Sequence, residues 1–204
     1  QSLAIWKELP ARLGEDVGFT QGGTLYLAED EAELAGLAGW LAVAREHGLD
    51  TRIIAGRELK EVFAAGSRFA GALYTPSDGR AEPSHAGLAI ARGAARAGAR
   101  ILSHAAVRGI ETAAGRIPAV VTEHGRVATR AVVCAAGAWT RLFCGSLDID
   151  VPQLQVVNTV ARLAPAPRLL EGQFWSQALA IRRRADGGYT VAHGHSSVHS
   201  LVPA

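Results

Sequence analysis

The stretch VVCAAGAWTRL, residues 132–142, reads as a strand that stops at two alanines and a glycine. A helix starts at once, with Trp139 in its first turn. A strand that ends in three residues with almost no side chain marks a close approach. Either another protein element packs tightly there, or a flat polar molecule reaches the backbone. Free N–H groups at a helix start suit anionic or polar groups, which gives the second reading a chemical basis. The pattern alone leaves both open.

Working outward, RILSHAAVRGIET, RIPAVVTE and GRVATRAVVCAAGA are split by AAGR and EHGR. Such β-rich runs between glycine turns predict a short strand at 100–102, then a meander at 106–112, 117–123 and 126–134. Before them, EPSHAGLAIARGAARAGAR (82–100) predicts an alanine-rich helix with Pro83 at its start and Gly98 as its stop. Its small side chains let it lie close on a sheet.

Nearer the start, Ser2 caps a helix to about Leu13, with Trp6, Leu9 and Leu13 on one face. Pro10 inside it predicts a kink or early break. VGFTQGGTLYLA (17–28) predicts a hairpin about Gln-Gly-Gly. Asp30 and Glu33 form a capping box for a helix with the stripe Leu34, Leu37, Ala38 and Leu41, closed by Gly48. TRIIA is a strand, GRELKEVF a short helix, and AGALYT a strand running into an Asp-Gly turn. LAIRRR, ADGG and YTVAH make a second hairpin. The class is mixed α/β (α+β).

A chain of 204 residues with 49% hydrophobic and 20% charged residues can bury a sizeable core. The net charge is +2, and the run of three arginines at 182–184 is the only basic cluster, so no nucleic-acid footprint is present. No apolar stretch approaches the ~20 residues of a membrane-spanning helix. Two cysteines build no disulfide scaffold, and Cys134 in an apolar strand predicts reduced thiols in a cytoplasmic protein. The chain opens on Gln, contains no Met and ends in HSSVHSLVPA, so the expectation is a piece of a longer polypeptide.

The succession of 83–137 (helix, short strand, meander, strand ending in Ala-Ala-Gly) resembles the second half of the FAD-binding fold in the D-amino-acid oxidase superfamily. That group includes glycine oxidase, sarcosine oxidase-like enzymes and D-amino acid dehydrogenases. SDGRAEPSHAGLAIARGAARAGARIL, AAVRGIETAAGRIPAVVTEHGRVATRAVVCAAGAW and, more loosely, GFTQGGTLYLA carry the resemblance. It implies a partial FAD-binding domain with a β-meander plus an antiparallel-sheet substrate domain. Residues 1–80 and 149–204 would be mostly substrate domain, and 81–148 the second part of the FAD domain.

The resemblance also implies roles. Val107 would touch the adenine end of FAD, Ala135, Ala136 and Gly137 would let the strand end approach it, and Trp139 would lie beside it. The reaction implied is oxidation of the C–N bond of a small amino acid or amine by hydride transfer to flavin, giving an imine that water hydrolyses. Oxygen or a respiratory carrier would accept the electrons. Binding and alignment would do the protein's part, so no catalytic acid or base is named. Homo- and hetero-oligomers are both open. The chain lacks the G-x-G-x-x-G that opens such FAD sites, so by itself it is expected to bind FAD poorly or not at all.

Substrate carboxylates in this superfamily meet an arginine of the substrate domain, and the candidates are Arg182 and Arg183. Strand parity puts Leu179, Ile181 and Arg183 on one face and Ala180, Arg182 and Arg184 on the other. Interior apolar neighbours favour Arg183 as the fork for a carboxylate. His193, His195 and His199 could chelate a metal but lack a nearby Asp, Glu or Cys, so no metal site is assigned. The rival to the enzyme is a non-catalytic interaction or regulatory subunit that keeps a flavoprotein-like core.

Overall fold

The structure, a computed structural model, describes residues 2–194. His195 and His199 of the histidine trio lie outside the described residues. In order, the chain forms α1 (Ser2–Leu13), β1 (Thr24–Ala28), α2 (Glu31–Ala38), α3 (Leu41–Glu46), β2 (Arg52–Ile54), α4 (Gly56–Val62), β3 (Gly71–Thr75) and α5 (Pro83–Arg96). Then come β4 (Val107–Ala113), β5 (Arg116–Thr122), β6 (Gly125–Ala128), α6 (Thr140–Gly145), β7 (Val160–Leu163), β8 (Gln173–Trp175), β9 (Leu179–Arg183) and β10 (Tyr189–His193). The described residues form two compact units, 2–98 with 158–194 and 99–157. Among the described residues no helix is long and apolar enough to cross a membrane.

The larger unit is built on a seven-stranded mixed sheet in the order β2-β3-β1-β8-β9-β10-β7. The β1–β8 pair is parallel; the others are antiparallel. Alternation along the strands puts Leu25, Leu27, Ala72, Phe174 and Tyr189 on one face, where they close over Ile54, Leu59 and Phe63. Phe63 meets Phe174 with ring centroids 4.8 Å apart, a tilted arrangement favoured by the ring quadrupoles. A satellite core joins Val17, Ala86 and Ala89 to Trp6, Leu9 and Leu13 of α1.

Local chemistry explains the helix limits. The Asp30 side chain accepts from Glu33 N at 2.8 Å, and the Glu33 carboxylate reaches back to Glu29 N at 2.8 Å. Pro83 stands at the start of α5, and Gly98 follows its end with φ +94°. The helix predicted to run on to Gly48 is broken in two at Gly39 and Trp40. Glycines at 36 and 39 weaken it there, and the Gly39 N–H turns to the carbonyls of Ala35 and Gly36. At Pro10 the reverse happens: α1 runs through it to Leu13 without a break.

Residues 17–28 form no hairpin. Thr20 instead pairs with Arg80, N to O at 2.8 Å and O to N at 2.9 Å, while Leu25 and Leu27 pair with Tyr74 and Ala72. Asp16 Oδ1 accepts from Gly18 N at 2.7 Å in a local turn. Gly18 has φ +63°, which starts the chain toward residues 80–82 rather than back on itself.

The smaller unit is the antiparallel meander β4-β5-β6 followed by the 137–145 turn and helix. All three strands pair, but the third ends at Ala128 rather than 134. Residues 131–136, expected as a strand, are irregular, and so are 100–102. A strand needs a neighbour to take its N–H and C=O groups. Among the described residues no strand pairs with either stretch, and Val133, Ile101 and Leu102 stand exposed.

Candidate active site and cofactor cleft

In the larger unit the face of the sheet opposite the core carries two parallel rows. The pairing register sets Thr24, Gln173, Arg182, Thr190 and Arg162 side by side across β1, β8, β9, β10 and β7. One residue pair along, Tyr26, Trp175, Ala180, Ala192 and Val160 form the second row. The first row is polar and cationic; the second is aromatic and apolar. Except for Arg162, these residues line one cleft of about 450 Å³.

The rows are held from the side. Gln173 Nε2 donates to Thr24 Oγ1 at 3.0 Å, and Trp175 Nε1 donates to Gly194 O at 2.8 Å. Arg182 Nη1 donates to Ala81 O at 3.0 Å, and its Nη2 stands 3.5 Å from Glu82 Oε2. Glu82 also takes Arg80 Nη1 at 2.8 Å, with both side chains under a tenth exposed. Burial pulls the Arg80 guanidinium below its ordinary value, and the Glu82 carboxylate opposes that shift.

Strand parity is as expected, with a different consequence. Arg183 shares the core face with Ile181 and Tyr189, and its Nη1 binds Glu171 Oε2 at 2.8 Å. The cleft opens on the other face, so Arg182 lines it and Arg183 does not. Arg184 is buried and spent on the carbonyls of Leu163 and Tyr189 and on Asp186. Tyr26, Gln173 and Trp175 were missed by sequence reasoning. Only the register across three strands brings them to Arg182, and no local motif encodes that register.

In the smaller unit Val107, Ala135, Ala136 and Trp139 line a second cleft of about 640 Å³, together with Val133, Cys134, Leu142 and Phe143. Gly137 adjoins it with φ +56°, and a Cβ built there meets nothing within 4 Å. Gln153 clamps the turn: its Nε2 donates to Gly137 O at 2.9 Å and its Oε1 accepts from Arg141 N at 3.2 Å. Cys134 and Cys144 are free thiols. Burial, with Cys134 beside it, pushes the Cys144 thiol up. Cys134 itself sits in the exposed irregular segment, not in a buried strand.

These residues fit the flat part of a flavin cofactor: a broad apolar floor, nearly bare backbone at 135–137, and open space beside Gly137. They do not supply a pyrophosphate cradle, since no G-x-G-x-x-G occurs in the chain. Among the described residues no three His, Cys, Asp or Glu side chains cluster as metal ligands.

The chain is 32% identical over 170 residues to glycine oxidase of Geobacillus kaustophilus (strain HTA426), covering 81% of the chain and 45% of that protein. It is 28% identical over 193 residues to 4-methylaminobutanoate oxidase (formaldehyde-forming) of Paenarthrobacter nicotinovorans, covering 94% and 23%. Among solved structures, L-amino acid deaminase from Proteus myxofaciens in complex with anthranilate superposes with a TM-score of 0.85 at 34% identity, covering 93% of this chain and 44% of that one. The chain thus spans less than half the length of these relatives. The family model for FAD dependent oxidoreductases (DAO) matches residues 1–199, and the chain belongs to that family.

Proposed function

We propose that the protein containing this chain oxidises the C–N bond of a small amino acid or amine, with Arg182 as the partner of the substrate carboxylate. The observation that carries this reading is the pair of rows on one sheet face. A guanidinium fork stands beside an aromatic and apolar strip, the combination a small amphipathic amino acid requires. FAD, when bound, supplies the two-electron acceptor.

The chain's own residues then have distinct tasks. Arg182 fixes one end of the substrate by a charge-assisted contact. Tyr26 and Trp175 cover its apolar part and exclude water, and the bond from Trp175 to Gly194 O keeps that ring in place. Holding a reactant in one orientation accounts for much of such a rate without a dedicated base. Val107, Ala135, Ala136, Gly137 and Trp139 serve the cofactor side. We assign 99–157 to that side and the larger unit to the substrate side, with α5 counted with the satellite core in which it packs.

The test is Arg182→Met beside Arg183→Met in the full-length protein, assayed on an amino acid substrate and on the matching amine. A charge-assisted contact is worth ~1.5–3 kcal/mol, so Arg182→Met should lower kcat/KM by about ten- to a hundredfold on the acid only. Arg183→Met, which loses a half-exposed ion pair, should change it little. Equal effects of the two would overturn the assignment. A folded full-length protein without a flavin absorption band would favour the non-catalytic reading, and reoxidation by oxygen after anaerobic reduction would distinguish an oxidase from a dehydrogenase.

A further inference from the structure

Glu82 occupies the N-cap position of α5, yet its side chain makes no capping bond there. Its carboxylate turns the other way. Oε1 accepts from Arg80 Nη1 at 2.8 Å and from Ala185 N at 2.9 Å, and Oε2 faces Arg182 Nη2 at 3.5 Å. The preceding residue adds a second acceptor, Ala81 O, to Arg182 Nη1. Two consecutive residues thus take hold of both terminal nitrogens of the fork that lines the cleft.

The backbone under Glu82 is held as firmly. Its N–H donates to Gly18 O at 3.1 Å, beside the Thr20–Arg80 bridge. A Cβ at Gly18 would fall 2.7 Å from Glu82 Cβ, so Glu82 can sit there only because residue 18 is glycine. Arg80 saturates Oε1 from behind, and its own side chain is 5% exposed.

We propose that Glu82 is a positioning residue for Arg182, fixing the guanidinium so that it presents itself to a substrate carboxylate; this rests on the reading of Arg182 given above. The charge alone would do the opposite. A carboxylate beside the fork repels an incoming anion, so a Glu82 that merely neutralises Arg182 would weaken anion binding. Positioning and neutralisation therefore predict opposite signs when Glu82 is changed.

The experiment measures propionate binding to the full-length protein by titration calorimetry, with propionamide as the uncharged control. Glu82→Gln alone leaves Arg80 buried without a counter-charge and endangers folding. The informative variant is therefore Arg80→Met with Glu82→Gln, compared with Arg80→Met, and Glu82→Asp keeps the charge while withdrawing it from Arg182. Positioning predicts that Arg80→Met stays within about threefold of wild type, while the double variant and Glu82→Asp each lose about tenfold or more in propionate affinity. Propionamide binding is unchanged throughout, and KM for the amino acid rises more than kcat falls. A double variant that binds propionate as tightly as Arg80→Met, or more tightly, overturns the proposal. If Arg182→Met itself binds propionate like wild type, the carboxylate reading fails first; if Arg182→Met loses binding while the Glu82 variants keep it, only the role of Glu82 fails.

Discussion

In the larger unit Leu25, Ile54 and Leu59 are at most 1% exposed; in residues 99–157 Val133 is 90% exposed and Leu142 76%. Among the described residues the smaller unit buries only Ala119 and Cys144 among its apolar side chains. The larger unit has a core of its own, closed by a sheet on one side and α4 on the other. The smaller one has a paired meander and an apolar surface around the 131–142 stretch. Contiguous exposed apolar surface of that kind marks a place meant to be covered, by a ligand or by other protein. The difference separates residues that hold a fold from residues that wait for something.

The largest effect that could break this comparison is on stability. Leu59 is 0% exposed, and Gly66 packs directly against it. Leu59→Ala removes buried methyl groups from a filled core and should cost ~2–5 kcal/mol. Leu142→Ala, at an exposed position, should stay within ~0.5 kcal/mol. Urea denaturation of the full-length protein checks both. A large loss at Leu142 would mean that the apolar surface of 131–142 is already covered in that protein, which sharpens the comparison instead of ending it.

The next effect is smaller and of opposite sign in the two units. Gly36 lies in α2 and Gly137 in the 137–139 turn, and a Cβ at either meets nothing within 4 Å. Space is therefore not the issue; backbone conformation is. Gly137 has φ +56°, so Gly137→Ala should cost ~1–2 kcal/mol. Gly36→Ala restores helix propensity and should add ~0.5–1 kcal/mol. If Gly137→Ala is neutral, the left-handed turn beside the cleft of the smaller unit is not held in solution. If it also lowers flavin content, the turn matters to the cofactor as well as to the fold.

What was legible in the sequence follows the same division. Asp30, Glu33, Pro83 and Gly98 act within one helical turn, so their signals could be read and the structure uses them. The three-stranded meander and the 179–193 hairpin are likewise set by short turns between alternating runs. Pairings over long separations were not legible. Nothing near Thr24–Ala28 says that its partner will be Gln173–Trp175 in parallel, and nothing near Arg182 names Glu82, a hundred residues away. The 131–136 stretch was misread for a related reason. Its composition suits a strand, but a strand exists only where a neighbour supplies the ladder. For Arg183, alternation gave the right face, but which face opens into a cleft depends on where α4 and the core lie.

The smallest expected effect concerns charge, and it returns to the hairpin that carries Arg182. Asp186, in the turn between β9 and β10, accepts from Arg162 at 2.7 Å, from Gly188 N at 3.0 Å and from Arg184 at 3.1 Å. Those donors, the Arg162 fork first, hold its carboxyl well below the usual carboxylate range. A carboxylate depressed in the folded state contributes stability in full above its unfolded value, about 3.9, and loses it as pH falls below that toward the folded value. The melting temperature of Asp186→Asn should therefore lie below that of wild type by a constant amount between about pH 5 and 7, and the gap should shrink below about pH 4. In the smaller unit, Glu111 pairs with Arg126 at 2.8 Å on an exposed strand face, and Glu111→Gln should shift stability by less than ~1 kcal/mol and lose even that in high salt. A gap for Asp186→Asn that stays the same at pH 3 and pH 7 would show that the hairpin turn is held by shape and not by this charge, and the Arg162–Asp186–Arg184 cluster would then have no part in presenting β9 to the cleft.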